Sequence, residues 1–380
     1  MIEFENFLSS FIPNLKIFNS VILQHLVRIA FVYDAVYPWI KGGVERRVFE
    51  IGRRLAAEGY EVYWFGIGWW GNREIEHSGI KLVPCYKPVN LYSKGRRKIS
   101  EAILFAISLK RKANLNEFDI VDCQVFPYFP SLVCSRHKNL VLTWHEFWGD
   151  YWMEYLGYLG YFGKIVEMIV AKIRCKHVAV SPTTAKNLLE IGVKAEVVPN
   201  GVDIERIKRI KAAEKGYDVV FAGRLIREKG VDLLLNALKL LPDSISCLIV
   251  GEGADKKRLV EISKKLGLNC YFQNFMNWED MISIMKASKV FALPSVREGF
   301  SIISLEANAC GMPVVTINHP NNAASKIACG IVCDANARNF AEALLEAMEK
   351  KKKLRKMCVN NARKYDWDRI TKKIVEVYLR

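Results

Sequence analysis

The chain has 380 residues, 51% of them apolar and 25% charged, which suits two domains of ordinary size and excludes a disordered or collagen-like chain. No apolar run reaches the roughly 20 residues that a membrane-spanning helix needs. Fifty-six basic residues against 40 acidic ones leave a net charge of +16, an excess that asks for an anionic partner: nucleic acid, an anionic lipid surface or a phosphorylated substrate.

Residues 1–26 do not read as the start of a domain. Phe4, Phe7, Leu8, Phe11, Ile12 and Leu15 allow a weak amphipathic helix. The segment is expected to be either a membrane-surface appendage or untranslated sequence ahead of a start at Val27, and N-terminal sequencing of the native protein separates the two. From Val27 the pattern changes. Val27–Tyr33, ending in Asp34, is the short apolar run that opens a buried parallel strand. A helix around Val44–Glu58 follows, and then strands at Glu61–Phe65, Asp119–Val121, Leu140–Trp144, His177–Val180 and Ala195–Val198. Such alternation predicts crossover units around a parallel sheet, in a first domain of residues 27–200.

A second series spans residues 201–365, with a boundary near Gly201–Gly216. Its strands are Asp218–Phe221, Ser246–Val250 and short runs near Cys270, Val290 and Val314. Helices are expected at Val231–Leu241, Ala254–Leu266 and Glu342–Lys356. The basic run Lys350–Lys356 would suit the C-terminal end of that last helix. A final helix, Trp367–Leu379, occupies residues 366–380. The fold class is therefore α/β, with two doubly wound halves. The ten cysteines follow neither a secreted disulfide pattern nor zinc-finger spacing, Cys329 and Cys333 having no second pair. They read as reduced, mostly buried side chains of a cytoplasmic protein.

Three segments carry chemistry. Gly42-Gly43 follows the first strand, and two glycines before a helix N-terminus let backbone amides approach an anion. No Gly-Lys-Ser/Thr follows, so this is not a Walker loop. In Phe221–Gly230 a strand ends at Gly223, and ligands of open α/β sheets bind beyond the carboxyl ends of strands. Arg224 and Lys229 would both reach that mouth and suit a diphosphate. The third segment is Glu298-Gly299-Phe300-Ser301-Ile302-Ile303-Ser304-Leu305-Glu306. Its amides lie at a helix N-terminus, and Glu306 can accept from two adjacent hydroxyls, as of a ribose diol. Paired carboxylates also occur in glycoside hydrolysis, but these two share one motif with amides between them, which fits gripping a sugar better.

Together these segments resemble glycosyltransferase family 4, of GT-B architecture. The matching pieces are KGGVER near Gly42, SPTTAKNL near Ser181, VVPNGVD near Asn200, FAGRLIREKGVD, LIVGEG near Gly251 and EGFSIISLEANACGMPVV from Glu298. The resemblance implies two Rossmann-like domains facing a cleft, with a C-terminal helix crossing back to the first. It implies retaining transfer of a hexose-type sugar from a nucleotide-diphosphate-sugar to a glycan or lipid-linked acceptor, with no cofactor and no metal. By similarity the catalytic residues are His145, Glu298, Arg224 and Lys229. Donor binding falls to Gly42, Gly43, Arg224, Lys229, Glu298, Gly299, Phe300, Ser301, Ile302 and Glu306. The nucleobase would lie near Gly251, Asn274, Phe275 and Met276. Departures from the family pattern are Asn274 and Ser301 in place of Gly, Asn308 in place of Met, and TINHPNNAASKIACG after Val315 in place of a Gly-Gly and Glu segment.

The acceptor side carries Arg46, Arg47, Arg53 and Arg54 on the first helix, the basic residues Lys94, Arg96, Arg97, Lys98, Lys110, Arg111 and Lys112, and an aromatic segment from Tyr151 to Phe162 that includes Trp152, Tyr155, Tyr158 and Tyr161. Bases with aromatics point either to an anionic membrane surface, on the inner face of the cell membrane, or to a lid or core under a charged surface. Nucleic acid is not an expected partner, for no helix-turn-helix, RNA-binding sheet signature or zinc module is present. The alternatives to transfer are a nucleotide-sugar epimerase of similar shape and a non-catalytic protein that binds anionic surfaces.

Overall fold

The computed structural model describes residues 27–88, 91–93 and 96–380. The readings of residues 1–26 and of Lys94 lie outside them.

Among the described residues, eight strands make the first sheet. They are β1 (Arg28–Val32), β2 (Glu61–Gly66), β3 (Ile75–His77), β4 (Ile80–Pro84), β5 (Ile120–Val125), β6 (Leu140–Trp144), β7 (Lys176–Ala179) and β8 (Glu196–Val197), in the order β8-β7-β6-β5-β1-β2-β4-β3. All neighbours are parallel except β3 on β4. Two-sided burial requires continuous apolar runs, and β1 and β6 supply them. That β3–β4 hairpin escaped the sequence reading because Ile75-Glu76-His77 is an exposed edge with little apolar content.

The second sheet has β9 (Val219–Ala222), β10 (Cys247–Val250), β11 (Cys270–Gln273), β12 (Val290–Leu293), β13 (Val314–Ile317) and β14 (Gly330–Cys333), all parallel, in the order β11-β10-β9-β12-β13-β14. The chain runs outward from β9 one way and then from β12 the other. The β9/β12 crevice is therefore the topological switch point, where ligands of such sheets bind. In the first sheet the corresponding point lies between β1 and β5.

The helices used below are α1 (Gly43–Ala57), α2 (Ile99–Lys112), α3 (Gly160–Ala171), α4 (Trp278–Ala287), α5 (Ile302–Ala309), α6 (Ala337–Glu349), α7 (Lys351–Arg363) and α8 (Trp367–Leu379). One expectation is corrected here. Glu342–Lys356 is not one helix: α6 ends at Glu349, and the basic run opens α7 instead of closing α6. Its charges thus stand at the less favourable, N-terminal end of a helix dipole. Packing onto α5 outweighs that, with Cys358 and Ala362 of α7 buried.

Helix α8 leaves the second half and buries Trp367, Ile370, Ile374, Val377 and Tyr378 in the apolar core of the first. Gly201 has no side chain because the Trp367 indole lies against it. The second half has a core on each face of its sheet, one around Phe291, Leu305 and Met312 and one around Phe221, Ile249 and Phe340. All ten cysteines are unpaired and none is fully exposed.

Candidate active site

The two switch points face one another, and among the described residues side chains cross between the halves around them. Arg46 of α1 donates to Glu306 of α5. Arg297 pairs with Glu146 at 2.9 Å and donates to the carbonyl of Phe147 at 3.2 Å. The Tyr151 hydroxyl donates to Glu228. Lys229 and Glu298, on the loops after β9 and β12, pair at 2.6 Å.

Around these contacts lies the N-terminus of α5. Ser301 stands at its start with φ of +76° and no side-chain cap on the first amides. The Ser301 and Ser304 hydroxyls hydrogen-bond to each other at 2.8 Å. Uncapped amides at a helix N-terminus form a partial positive charge suited to phosphate or sugar oxygens. Gly43 lies above them, within 3.7 Å of the Ile302 side chain if it carried a Cβ. Gly299 passes so close to the His145 carbonyl that any Cβ there would collide with it. The Phe300 ring is buried in the core, so only its backbone is available to a ligand.

Glu306 is 6% exposed, and one of its oxygens accepts from both Arg46 and the Trp278 indole (2.5 Å to the latter). Trp278 also lies under the guanidiniums of Arg46 and Arg206, at 5.0 and 4.5 Å. Glu298 is equally enclosed. Its backbone N–H donates to Asn321, and its carbonyl accepts from Ala323, each within 3.0 Å. Asn322 anchors that turn by donating to Thr316 and to the Ile317 carbonyl. The segment that departs from the family pattern is thus what holds Glu298. Asn308 likewise clamps α5 to the loop before β14, through the carbonyls of Met312 and Cys329 and the Cys329 amide.

Arg224 is exposed beyond the end of β9, and its charge reaches Glu45 on α1. Burial raises the Glu45 carboxyl to about 7, while Arg97 and Arg224 pull it down. Gly42 packs directly against that carboxylate. His145, just past β6, has its Nε2 within hydrogen-bond distance of Gln124 Oε1, at 2.9 Å. Burial, aided by the charge of Arg47, lowers its imidazole to about 3 and keeps it neutral.

Gly251, Asn274, Phe275 and Met276 sit beyond the ends of β10 and β11, on one rim. Gly251 adopts φ of +151° with the Gly223 carbonyl against its Cα. Asn274 accepts from Lys256, Phe275 is exposed and Met276 packs on the core.

The arginines of α1 are the main revision on the first half. They form no free basic face: Arg47 is buried against Pro199 and Asn200, Arg53 pairs with Glu50 and Asp203, and Arg54 pairs with Glu50 and Asp368. Helical spacing can show the Glu50 partner of Arg53 and Arg54 on α1 itself, but not Asp368 on α8 or Pro199, Asn200 and Asp203 at the interdomain linker. The aromatic segment divides: Trp152 is buried beside Trp148 and Phe126, whereas Tyr158 is 90% exposed and Phe162 69%. Sequence reasoning does not single out Trp278, Arg297 and Glu146 as site residues, and Arg46, although part of the KGGVER segment, reads there only as one of the basic residues of the first helix.

Comparisons with known proteins identify the family and the fold. Residues 41–206 match the family described as Glycosyltransferase Family 4, and residues 203–365 match glycosyl transferases group 1. D-inositol 3-phosphate glycosyltransferase of Salinispora tropica is 28% identical over 221 residues, 49% of this chain and 46% of that relative. The chain thus matches about half the length of that curated relative. An uncharacterized glycosyltransferase of Methanocaldococcus jannaschii is 25% identical over 89% of this chain and 95% of its own. Among solved structures, sucrose-phosphate synthase from Thermosynechococcus elongatus superposes with a TM-score of 0.76 at 18% identity, covering 93% of this chain and 98% of its own. Anabaena HepE in complex with UDP and glucose gives 0.70 at 18% identity, covering 92% and 98%. The shared fold is GT-B.

Proposed function

Because the chain belongs to the glycosyltransferase family whose two descriptions together span residues 41–365, we propose that it is a retaining glycosyltransferase acting on a nucleotide-diphosphate-sugar. The observation that carries the reading is the frame around the N-terminus of α5. Lys229, Glu298 and Glu306 border uncapped amides, Arg224 stands free at the neighbouring strand end, and Gly43 closes over the top.

In this reading Arg224, Lys229 and the α5 amides hold the diphosphate, and Glu306 takes the ribose hydroxyls. The acceptor oxygen bonds to the anomeric carbon as its bond to the diphosphate oxygen breaks, on the same face. The electron pair leaves with the nucleoside diphosphate, which takes up the acceptor's proton. Fixed positive groups stabilise the charge that develops there. No metal is assigned a part, so chelator treatment should leave turnover unchanged.

The acceptor is proposed to be lipid-linked. Tyr158, Leu159, Phe162, Ile165 and Ile169 form an exposed apolar stripe on and just before α3, and Ile99, Ile103 and Ile107 form another along α2, whose end carries Lys110, Arg111 and Lys112. No helix among the described residues is long and apolar enough to cross a membrane, so these stripes suit lying on one. The deciding experiment incubates the protein with radiolabelled nucleotide-sugars, with and without a membrane extract. Label transferred only with extract supports the proposal; conversion of donor alone favours an epimerase; binding of neither nucleotide nor sugar overturns both.

A further inference from the structure

Strand β5 reads Ile-Val-Asp-Cys-Gln-Val and is buried throughout. Two polar side chains in such a strand need partners. The period of two places Asp122 and Gln124 on one face, and the register sets Gln124 beside Thr143 on β6, two residues before His145.

The bonds on that face form one connected chain. Asp122 Oδ1 accepts from Gln124 Nε2 at 2.7 Å and from the Thr143 hydroxyl at 2.8 Å. Its Oδ2 accepts from the hydroxyl of Tyr378, in the last turn of α8, at 2.6 Å. Gln124 Oε1 then meets His145 Nε2 at 2.9 Å. Burial leaves the Asp122 carboxyl raised, although those three donors and the buried guanidinium of Arg47 hold it back. Both of its oxygens are placed as acceptors, as a carboxylate's are. Gln124 must therefore turn its NH₂ toward Asp122 and its carbonyl toward His145, and a carbonyl requires a hydrogen on Nε2.

We propose that Gln124 and Asp122 are positioning residues that fix His145 in its Nε2–H tautomer, so that Nδ1 is left as the acceptor of the imidazole. The ring then cannot serve as a proton donor through Nδ1, and the chain that orients it is anchored on the same face by Tyr378 of α8. That His145 acts on the transferred sugar rests on the proposed function; the tautomer and its cause do not.

The test is ¹⁵N NMR of the full chain with labelled histidine. The chain has six histidines, and the His145 signals are identified by their loss in His145→Asn. Wild type should show the Nε2–H tautomer at neutral pH. Gln124→Leu, which removes the carbonyl, should populate both tautomers. Asp122→Asn should do the same, because an amide at 122 lets Gln124 turn either way. Tyr378→Phe removes a donor without altering the direction of the chain and should keep the Nε2–H form. If Asp122→Asn fails to fold beside Arg47, Gln124→Leu still decides. An Nδ1–H or charged ring in wild type, or an unchanged tautomer in Gln124→Leu, overturns the proposal. Where transfer is measurable, Gln124→Leu should lower kcat about tenfold with little change in the donor KM. A pure KM effect would count against it. The NMR arms need no substrate, so failure of the transferase reading would leave them interpretable.

Discussion

Arg46 on the first helix and Glu306 on α5 lie 260 residues apart and form an ion pair across the cleft, 17% and 6% exposed. Such enclosure makes the pair costly to break from one side, because the remaining charge stays buried. Arg46→Met is expected to destabilise the protein by about 3 kcal/mol, and Glu306→Gln by a similar amount. The double variant should be no worse than either single one, giving a coupling of about 3 kcal/mol. Urea unfolding of the four proteins measures this, and additive losses would mean the two residues act separately.

Arg224 offers the opposite case. It is exposed, and no ion pair or hydrogen bond of its side chain is found among the described residues. Its removal should leave stability within about 0.5 kcal/mol of wild type. Deleting a charge-assisted contact to a departing diphosphate should nevertheless slow turnover by about 10-fold to 100-fold. Unchanged kinetics would remove Arg224 from the donor site.

How much of this could be read from the sequence follows from how local each feature is. Strand runs such as Leu140–Trp144 and the glycine-bordered segments around Arg224 and Glu298 carry their signal within ten residues. The Arg46–Glu306 and Tyr378–Asp122 contacts join positions about 260 residues apart, and a single sequence does not encode such pairings in any spacing. The strand expected at Asp119–Val121 stops short of Asp122 and Gln124, because polar residues interrupt the apolar run, whereas the structure continues it to Val125. The break after Glu349 was hidden because lysine-rich helix ends and lysine-rich helix starts look alike in sequence.

Glu45 makes a pH-dependent prediction. Its carboxyl lies at about 7 in the fold instead of an ordinary 4.5, chiefly through burial. Between those values the native state holds more protons than the unfolded one, so this group lowers stability as pH rises through the window and no further above it. The interval corresponds to roughly 3 kcal/mol at most. Glu45→Gln should therefore be more stable than wild type near pH 8 and equal to it near pH 4. Thermal unfolding at both values checks this; a gain that does not depend on pH would place its cause elsewhere.

Ser301 occupies a left-handed conformation that glycine adopts freely and β-branched residues resist. Ser301→Gly should match wild type in stability within about 1 kcal/mol, since relief of strain offsets the lost Ser304 contact and the added freedom of the unfolded chain. Ser301→Val should lose about 2 kcal/mol or more. Equal stability of the two variants would show that the turn adjusts.

The exposed stripe before and along α3 separates membrane docking from a covered core. An aromatic ring that leaves water for lipid gains about 1.5 to 3 kcal/mol when fully buried, and partial immersion at the headgroup boundary gives less. The loss of Tyr158 and Phe162 together should therefore weaken vesicle binding by about tenfold or more. The measurement is co-sedimentation with vesicles containing phosphatidylglycerol, compared with phosphatidylcholine alone, in moderate salt. Tyr158→Ser combined with Phe162→Ser should retain wild-type stability, because both side chains are already in water. Charge alone would give binding that survives this double substitution and vanishes in salt, whereas an inserted stripe gives binding that salt weakens and the substitutions abolish. If wild-type protein ignores both vesicle types, the stripe faces something other than lipid and the lipid-linked acceptor loses its support.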